Sequence, residues 1–181
     1  SVLGCGNGVV LGGGGGHVVS YVNSGDWIGF VIQSDHNTVR YSHGSGPFAG
    51  FVINGKRNDI HHNTASSASY GLSIFGQDNV ARQNDTVTSF GIYVSGLGHQ
   101  IENNNTVGGL VGIIVENATN VDITQNDASG AARGISIVNS SDLDIDNNTI
   151  SDNVDVGIYV NGISNSQIRR NETVSNGMHG V

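Results

Sequence analysis

A short phrase recurs along the whole of this 181-residue chain: a glycine, an apolar residue, any residue and a second apolar residue. Successive glycines of the phrase lie 20 to 23 residues apart, and the phrase begins again at Gly180. A fixed short period is typical of repeat proteins, in which each unit buries its apolar side chains against the next. The first eight glycines of the phrase are Gly8, Gly29, Gly50, Gly71, Gly91, Gly112, Gly134 and Gly157.

Each repeat carries two further short apolar stretches, separated by glycines and asparagines. The second stretch is centred on Val39, Ile60, Val80, Ile101, Ile123, Ile145 and Ile168, and the third on Ala65, Val87, Val107, Ala128, Ile150 and Val174. These stretches are shorter than the ~10 residues that a helix needs. The sequence therefore predicts one all-β domain over residues 1–181, a parallel β-solenoid of about eight rungs with three short strands in each rung.

Two polar columns accompany the apolar ones. The first is rich in amides, which can hydrogen-bond to one another and to the turn backbone along a solenoid axis. The second exchanges glycine for asparagine, which suits a left-handed turn. The predicted amide ladder is Ser42, Asn63, Gln83, Asn104, Asn126, Asn148 and Asn171, and the predicted turn column is Gly13, Ser34, Gly55, Gly76, Gly96, Asn117, Asn139 and Gly162.

The repeats, with phrases such as GIYVNGISNSQIRRNETVSNG and GISIVNSSDLDIDNNTISDN, resemble the right-handed parallel β-helix repeats of the pectin-lyase-like superfamily. That superfamily includes pectate lyases, alginate epimerases, phage tailspikes and periplasmic copper-binding-type repeat proteins. The resemblance covers essentially the whole chain and implies a right-handed parallel β-helix. It does not select a function, because one solenoid fold hosts many activities.

Charge and composition exclude several classes of protein. Seven Lys and Arg against 15 Asp and Glu give a net charge of −8, without a basic stripe, so nucleic acid is not an expected partner. No run approaches the ~18 apolar residues of a membrane span, and no signal peptide is recognisable. We therefore expect a processed chain that is secreted or lies at the cell surface. Cys5 is the single cysteine, and its role stays open between an intermolecular disulfide and a thiol.

A group of titratable residues near the N-terminus is the best candidate for catalysis. A polysaccharide lyase or epimerase needs a cation to neutralise the uronate carboxylate, a base and an acid. Tyr41, Lys56, Arg57 and His61 could supply these roles. The alginate epimerases that the chain resembles carry Asp-Pro-His after a Gly-Phe pair, whereas residues 31–33 read Val-Ile-Gln. The resemblance therefore transfers no catalytic residues.

Two further sites are predicted with less specific signals. Glu102, Asp122, Asp144 and Asp146 should stack on successive rungs, where a hard cation such as Ca²⁺ would offset their repulsion.

Asparagine-rich repeats contain many glycosylation sequons, most of them at ladder or turn positions. Asn84 is the best candidate for a glycan, since Gln83 is expected to take the ladder position beside it.

The predicted outward column of the first strand is apolar for a surface that faces water, which favours contact with another chain. The sequence also shows no recognisable capping element at either end, so we expect either a fragment of a longer β-helix protein or rungs that stack end to end into filaments. We therefore expect an extracellular structural or adhesive β-helix that associates with itself or with other surface proteins. The alternatives are a lyase or epimerase acting on uronate-containing polysaccharide and a glycan-binding module without turnover. The outward column is Val10, Val31, Val52, Ser73, Tyr93, Ile114, Ser136 and Tyr159.

Overall fold

The computed structural model describes residues 6–180, which form sixteen β-strands and no helix. Cys5 lies outside the described residues. Among residues 6–180 there is accordingly no helix that could cross a membrane. The strands are β1 Asn7–Leu11, β2 Val18–Ser20, β3 Asn23–Ser24, β4 Ile28–Ile32, β5 Thr38–Arg40, β6 His43–Gly44, β7 Ala49–Ile53, β8 Asp59–His61, β9 Thr64–Ile74, β10 Val80–Arg82, β11 Asp85–Leu97, β12 Gln100–Glu102, β13 Val111–Thr124, β14 Arg133–Asp146, β15 Val156–Ser164 and β16 Gln167–Arg169.

All strand pairs are parallel, and every strand pairs with the equivalent strand one repeat away. The chain thus winds into a right-handed parallel β-helix of about eight turns, which confirms the predicted fold. We call its three sides the first, second and third face, after the order of the three stretches in each repeat. On the first face, the outward column predicted from Val10 to Tyr159 is in register across eight rungs.

The repeat glycines are required by a close approach between rungs. A Cβ atom built on Gly91 would lie 2.4 Å from the carbonyl oxygen of Gly112, and one built on Gly71 would lie 2.5 Å from that of Gly91. The same clash with the next glycine recurs at the other repeat glycines from Gly8 to Gly157. No larger residue fits at the start of the first-face strand while the rungs keep this spacing.

Inward side chains of the three faces form one continuous core. Phe30 and Phe51 stack in it with ring centroids 4.6 Å apart, and both are fully buried. Aliphatic residues such as Leu72, Ile92 and Ile113 continue the same column on the following rungs. A few inward aliphatics in each rung therefore suffice to fill this narrow solenoid.

Four of the predicted core positions, Val80, Val87, Val107 and Val174, are wrong by one residue. On the second face, Ala81 rather than Val80 is fully buried and in register with Ile60 and Ile101. On the third face, Thr86 and Thr106 are buried in place of Val87 and Val107. Val87, Val107 and Val174 are 70%, 45% and 52% exposed, and the pairing of Glu172 with Thr149 places Thr173 beside Ile150 in place of Val174. In both cases the sequence interpretation followed the larger apolar side chain instead of the register.

A ladder of amides runs along the turn that follows the second face. Each asparagine donates through its backbone N–H and its Nδ2 to the side-chain oxygen of the asparagine on the next rung, as Asn104 does to Asn126 at 2.9 and 3.0 Å. The ladder is confirmed with one correction, because Asn84 occupies the position predicted for Gln83. The ladder residues are Ser42, Asn63, Asn84, Asn104, Asn126, Asn148 and Asn171.

The position of Asn84 corrects the premise on which it was chosen as a glycan acceptor. Its side chain is 1% exposed, and its Nδ2 donates to the carbonyl oxygen of Ile60 and to Oδ1 of Asn104. The amide nitrogen that a glycan would modify is therefore inside the rod and already bonded.

A second, shorter ladder was missed in the sequence. It runs along the turn between the first and second faces through Asn37, Asn58 and Asn79, and it ends on the ring of His99. The residues of the second ladder are 0 to 1% exposed. The signal was present in the repeated asparagine that precedes each second-face strand on three successive rungs.

Left-handed backbone conformations mark two turns in each rung. The predicted turn column has a positive φ at six of its eight positions, Ser34 and Gly55 being the exceptions. A further left-handed column, unpredicted, immediately precedes the seven-residue amide ladder and contains no glycine. That column is Tyr41, His62, Gln83, Asn103, Gln125, Asn147 and Arg170.

Candidate functional site

An aromatic cleft of about 300 Å³ lies on the outer surface of the first face, in the middle of the rod. It spans four successive rungs, which at ~4.8 Å between strands is roughly 14 Å along the axis. We call it the aromatic cleft. Its lining residues are Phe48, Val52, Tyr70, Ser73, Phe75, Tyr93 and Glu116.

Strand alternation explains how these side chains come together. Val52, Ser73 and Tyr93 are successive members of the outward column and form the floor of the cleft. Phe75 lies two residues after Ser73 and therefore points outward from the same surface, as Glu116 does two residues after Ile114. The two ends of the first-face strands thus supply the walls, and the outward column supplies the floor.

The aromatic rings contact one another without forming a flat stack. Tyr93 lies edge-on to Tyr70, with centroids 6.1 Å apart and planes at 79°. Phe75 is tilted by 46° against Tyr93 at 5.6 Å, and Phe48 by 58° against Tyr70 at 6.0 Å. Rings set at these angles leave a concave apolar surface between them.

One polar pair closes the end of this surface. The Tyr93 hydroxyl donates a hydrogen bond of 3.1 Å to Oε2 of Glu116, one rung further along. Burial raises the pKa of Tyr93, and the hydrogen bond to Glu116 adds to the shift, so the phenol stays protonated. The Tyr93 hydroxyl bonds to Oε2, and Oε1 of Glu116 can accept from a bound molecule.

This arrangement has the usual properties of a ligand site: a concave, mostly apolar surface with a few polar groups at its edge. It was not predicted, because its residues come from several different positions of the repeat. The signal that could have found it is the concentration of aromatic residues between Phe48 and Tyr93.

The side chains of the outward column differ widely in solvent exposure. Val10 is 51% exposed and Tyr159 is 37% exposed, whereas Val31 is 4% exposed because its neighbours on the same surface cover it. Tyr93 and Tyr159 lie three rungs apart, as expected, and Tyr159 packs under the guanidinium of Arg133 at 5.2 Å. Tyr93 instead takes its aromatic partners from the cleft.

The predicted catalytic residues fall into two groups. Tyr41 and His61 lie together on the second face, with ring centroids 6.0 Å apart. Lys56 and Arg57 lie on the turn between the first and second faces, where Arg57 pairs with Asp78 at 3.7 Å. No contact between the two groups is found among residues 6–180.

His61 has its closest polar contact with the adjacent residue. The left-handed conformation of His62 turns its ring back toward His61, and the two Nδ1 atoms are 2.9 Å apart. Burial lowers the pKa of His61, with Arg82, His62 and Arg40 acting in the same direction and Asp59 opposing them. Asp59 is held by Arg82 at 2.7 Å. No set of three His, Cys, Asp or Glu side chains within residues 6–180 is arranged to hold a metal ion.

The predicted acidic stack is present in part. Asp122 and Asp144 are adjacent in register, and burial, followed by the charge of Asp144, raises the pKa of Asp122. Arg169 pairs with Asp144 at 2.6 Å, and Arg170 pairs with Asp146. Glu102 is separated from Asp146 by Thr124, which occupies the intervening rung. Two of the four carboxylates therefore have arginines where a cation was expected.

Comparison with protein families gives one match over nearly the whole chain. The family described as periplasmic copper-binding protein, NosD, matches residues 5–180. Comparison with curated proteins finds no match.

Two solved structures share the fold. The A-module of mannuronan C-5 epimerase AlgE6 from Azotobacter vinelandii has a TM-score of 0.59 and 18% sequence identity, over 88% of this chain and 51% of that one. The A-module of AlgE4 from the same organism has a TM-score of 0.52 and 16% identity, over 84% of this chain and 56% of that one. The chain therefore spans about half the length of these structures, and at this identity the likeness concerns the fold alone.

Proposed function

This chain belongs to the NosD family of periplasmic copper-binding proteins, and from that premise we propose that it works outside the cytoplasm as a β-helix that binds glycans. The binding site is the aromatic cleft, and binding there is not accompanied by turnover. The observation that carries the proposal is the concave group of aromatic rings with the Tyr93–Glu116 pair at its edge.

The chemistry of the cleft suits a sugar ring. A pyranose has a face of C–H groups, which packs on aromatic rings, and a rim of hydroxyls, which hydrogen-bond to polar side chains. Tyr70, Phe75 and Tyr93 offer the apolar surface, and Glu116 offers a hydrogen-bond acceptor beside it. The cleft follows the rod axis over four rungs and is open to solvent, so an extended polymer could continue past it.

The structural neighbours support the same kind of ligand. Both Azotobacter vinelandii modules are named as mannuronan epimerases, so they act on a polysaccharide. Catalysis of their kind would need a cation for the substrate carboxylate and a base near it. The cleft lining contains no basic side chain, which favours binding over turnover.

Copper, which the family name implies, does not fit the donors that the structure describes. Copper sites use imidazole and thiolate or thioether ligands in a defined coordination shell. His61 and His62 supply two nitrogens and Asp59 lies 3.9 Å from His61, but no three His, Cys, Asp or Glu side chains within residues 6–180 are arranged to hold a metal ion. The proposed function therefore uses no copper.

The proposal is tested by glycan binding to the intact protein. A panel of soluble oligosaccharides, measured by calorimetry, should contain ligands for the wild-type chain. Phe75→Ala should weaken their binding at least tenfold, since it removes one wall of the cleft. Tyr159→Ala is the matched control, because it removes an aromatic residue from the same face four rungs away from Phe75. Equal binding by wild type and Phe75→Ala, with both variants folded, would refute the proposal.

A polysaccharide lyase or epimerase built on Tyr41, Lys56, Arg57 and His61 is the enzymatic alternative. Its support is the proximity of Tyr41 and His61. A lyase would generate unsaturated uronate, which absorbs in the ultraviolet, from alginates or pectins. Release of this product by wild type and its loss in Lys56→Ala would favour the enzyme over the binding protein.

A structural or adhesive role through self-association is a second candidate. Val87 and Val107 occupy the same exposed position on successive rungs, and the nearby Leu110 is 54% exposed. Contiguous exposed apolar side chains favour contact with another chain. Sedimentation velocity over a concentration series tests this role. A concentration-dependent assembly that Val87→Ser weakens would support it, and a monomer at all concentrations without fibres in micrographs would oppose it.

Calcium binding by the acidic stack is a separate hypothesis that the glycan proposal does not need. Asp122 has no arginine partner among the described ion pairs and lies beside Asp144. A rise in melting temperature with added Ca²⁺, lost in Asp122→Asn, would support a cation there.

A further inference from the structure

We propose that the aromatic cleft selects glycans that carry ammonium groups, such as polymers of deacetylated amino sugars, over glycans that carry carboxylates. This inference rests on the proposed glycan binding and adds the charge class of the ligand. It runs against the charge of mannuronan, the polymer named for the structural neighbours.

The first argument is the sign of the charge in the cleft. Glu116 is the one carboxylate among the seven lining residues, and none of the seven is basic. Its bond to the Tyr93 hydroxyl occupies Oε2 and fixes the carboxylate at the end of the cleft. A uronate placed on the aromatic rings would meet this like charge, whereas an ammonium group would pair with it.

The second argument is the arrangement of the rings. A cation is attracted to the face of an aromatic ring within about 6 Å of its centroid, and several rings around one point increase the effect. The Tyr93 ring lies 5.6 Å from Phe75 at 46° and 6.1 Å from Tyr70 at 79°, and all three rings line the cleft together with Glu116. Rings at such angles beside a carboxylate form a site for an organic cation.

No basic residue lines the cleft, and Arg82, which lies between Phe75 and Tyr93 in sequence, pairs with Asp59 on the second face at 2.7 Å. Arg133 lies in the same column as Tyr70 but three rungs further along, where Asp155 at 3.1 Å and the ring of Tyr159 hold its guanidinium. Arg57 pairs with Asp78 on the neighbouring turn. Lys56 is exposed on that turn and is not part of the cleft lining. The net charge of −8 acts in the same direction, since it repels polyanions and attracts polycations at long range.

The test compares ligands of different charge. Oligomers of glucosamine and of N-acetylglucosamine share one backbone, and an oligouronate of equal length carries the opposite charge. In mildly acidic, low-salt buffer, calorimetry should give about tenfold tighter binding for the glucosamine oligomer than for its acetylated form. The oligouronate should bind more weakly than either, and added salt should reduce the preference for glucosamine.

The matched variants are Glu116→Gln and Glu102→Gln, which remove the same charge inside and outside the cleft. Glu116→Gln should abolish the preference for the glucosamine oligomer, and Glu102→Gln should leave that preference unchanged. Equal affinity of the wild type for the charged and acetylated oligomers would overturn the charge inference while leaving glycan binding intact. Absence of binding to the wider panel of oligosaccharides would instead overturn the proposed function.

Discussion

The imidazole Nδ1 of His99 accepts a hydrogen bond of 3.2 Å from the backbone N–H of Asn79. On the preceding rungs of this ladder the acceptor is an asparagine side-chain oxygen, as for Asn58 bonding to Asn79 at 2.9 Å. The other ring nitrogen of His99 contacts the carbonyl oxygen of Ser95 at 3.2 Å. In the same way, Nδ2 of Asn79 donates to the carbonyl oxygen of Phe75. When its proton is on Nε2, the neutral His99 ring therefore accepts and donates the same hydrogen bonds as an asparagine amide at this buried position.

This relationship predicts a pH-dependent stability. Burial lowers the pKa of His99 below 6.5, with hydrogen bonds opposing the shift. The unfolded chain therefore takes up the proton at a higher pH than the folded chain. Stability should be full above pH 6.5 and should fall as the pH drops below it, until the folded His99 also titrates. Burial lowers the pKa of His61 as well, and it contributes a slope of the same sign.

His99→Asn tests this expectation. Asparagine should continue the ladder, so the free energy of unfolding above pH 7 should change by no more than about 1 kcal/mol. Its decrease toward pH 5 should be smaller than in the wild type, as measured by urea unfolding at several pH values. His36→Asn makes the same substitution at an exposed position and should leave the pH dependence unchanged. A wild-type slope that survives in His99→Asn would assign the effect to other groups.

Asn126→Ala should be strongly destabilising. It removes the acceptor for the backbone N–H of Asn104 and the donor to the carbonyl oxygen of Ile101, both inside the rod. Each buried polar group left without a partner costs about 1–3 kcal/mol, so a loss of at least about 2 kcal/mol is expected. The measurement is the free energy of unfolding in urea. Asn105→Ala, at an exposed position one residue from the ladder, should cost little; an equal cost at both sites would contradict the ladder's role.

Gly91→Ala should cost about 1–3 kcal/mol or prevent folding, because the new Cβ would lie 2.4 Å from the carbonyl oxygen of Gly112. The strand would have to move away from the next rung, which also weakens the hydrogen bonds beside it. Thermal unfolding followed by circular dichroism measures the loss. Gly12→Ala is the control, since its added Cβ would meet nothing within 4 Å and its backbone is not left-handed. Similar melting temperatures for the two variants would show that the rungs can separate at little cost.

Phe51→Ala should lower the free energy of unfolding by about 3–5 kcal/mol, the usual loss for a large buried aromatic residue. Phe51 is fully buried against Phe30, and each rung has few other side chains that could fill the cavity. Phe48→Ala, three residues earlier and 41% exposed, should cost much less in stability and should act on the cleft instead. A small loss for Phe51→Ala would mean that the core collapses around the missing ring.

The fold was predictable because one physical requirement repeats in every rung: a glycine for the close approach, followed by alternating inward side chains. The predictions that were wrong at single rungs arose because residue type was followed instead of this repeat. Ala81 follows Gly71 by ten residues, as Ile60 follows Gly50 and Ile101 follows Gly91. Counting from the glycine would have placed Ala81 inside, and Asn84 three residues later in the ladder. Choosing Val80 and Gln83 gave weight to residue type over register.

The candidate site was less predictable for a related reason. Tyr70 precedes its repeat glycine, Phe75 follows the strand, and Glu116 comes from two rungs beyond Phe75, so no single column of the repeat contains them. The repeat pattern explains side chains that recur, and a binding site consists of side chains that do not. Tyr41 and His61, two members of the predicted catalytic group, are in contact because Tyr41 directly follows the strand that pairs with β8 on the neighbouring rung. Lys56 and Arg57 lie on the turn between the first and second faces. Their closeness to His61 in sequence therefore does not bring them into contact with it.

The parallel register of the rungs also determines how the rod would respond to force. Every backbone hydrogen bond between rungs runs along the rod axis, and each rung bonds only to the rungs on either side. A pull along the axis therefore acts in full on each interface between adjacent rungs, and the weakest of these interfaces opens first. A force across the axis is instead shared by all rungs at once. Such a rod should be compliant in tension and stiff against bending at its middle, where the longest strands, β11, β13 and β14, continue around the corners.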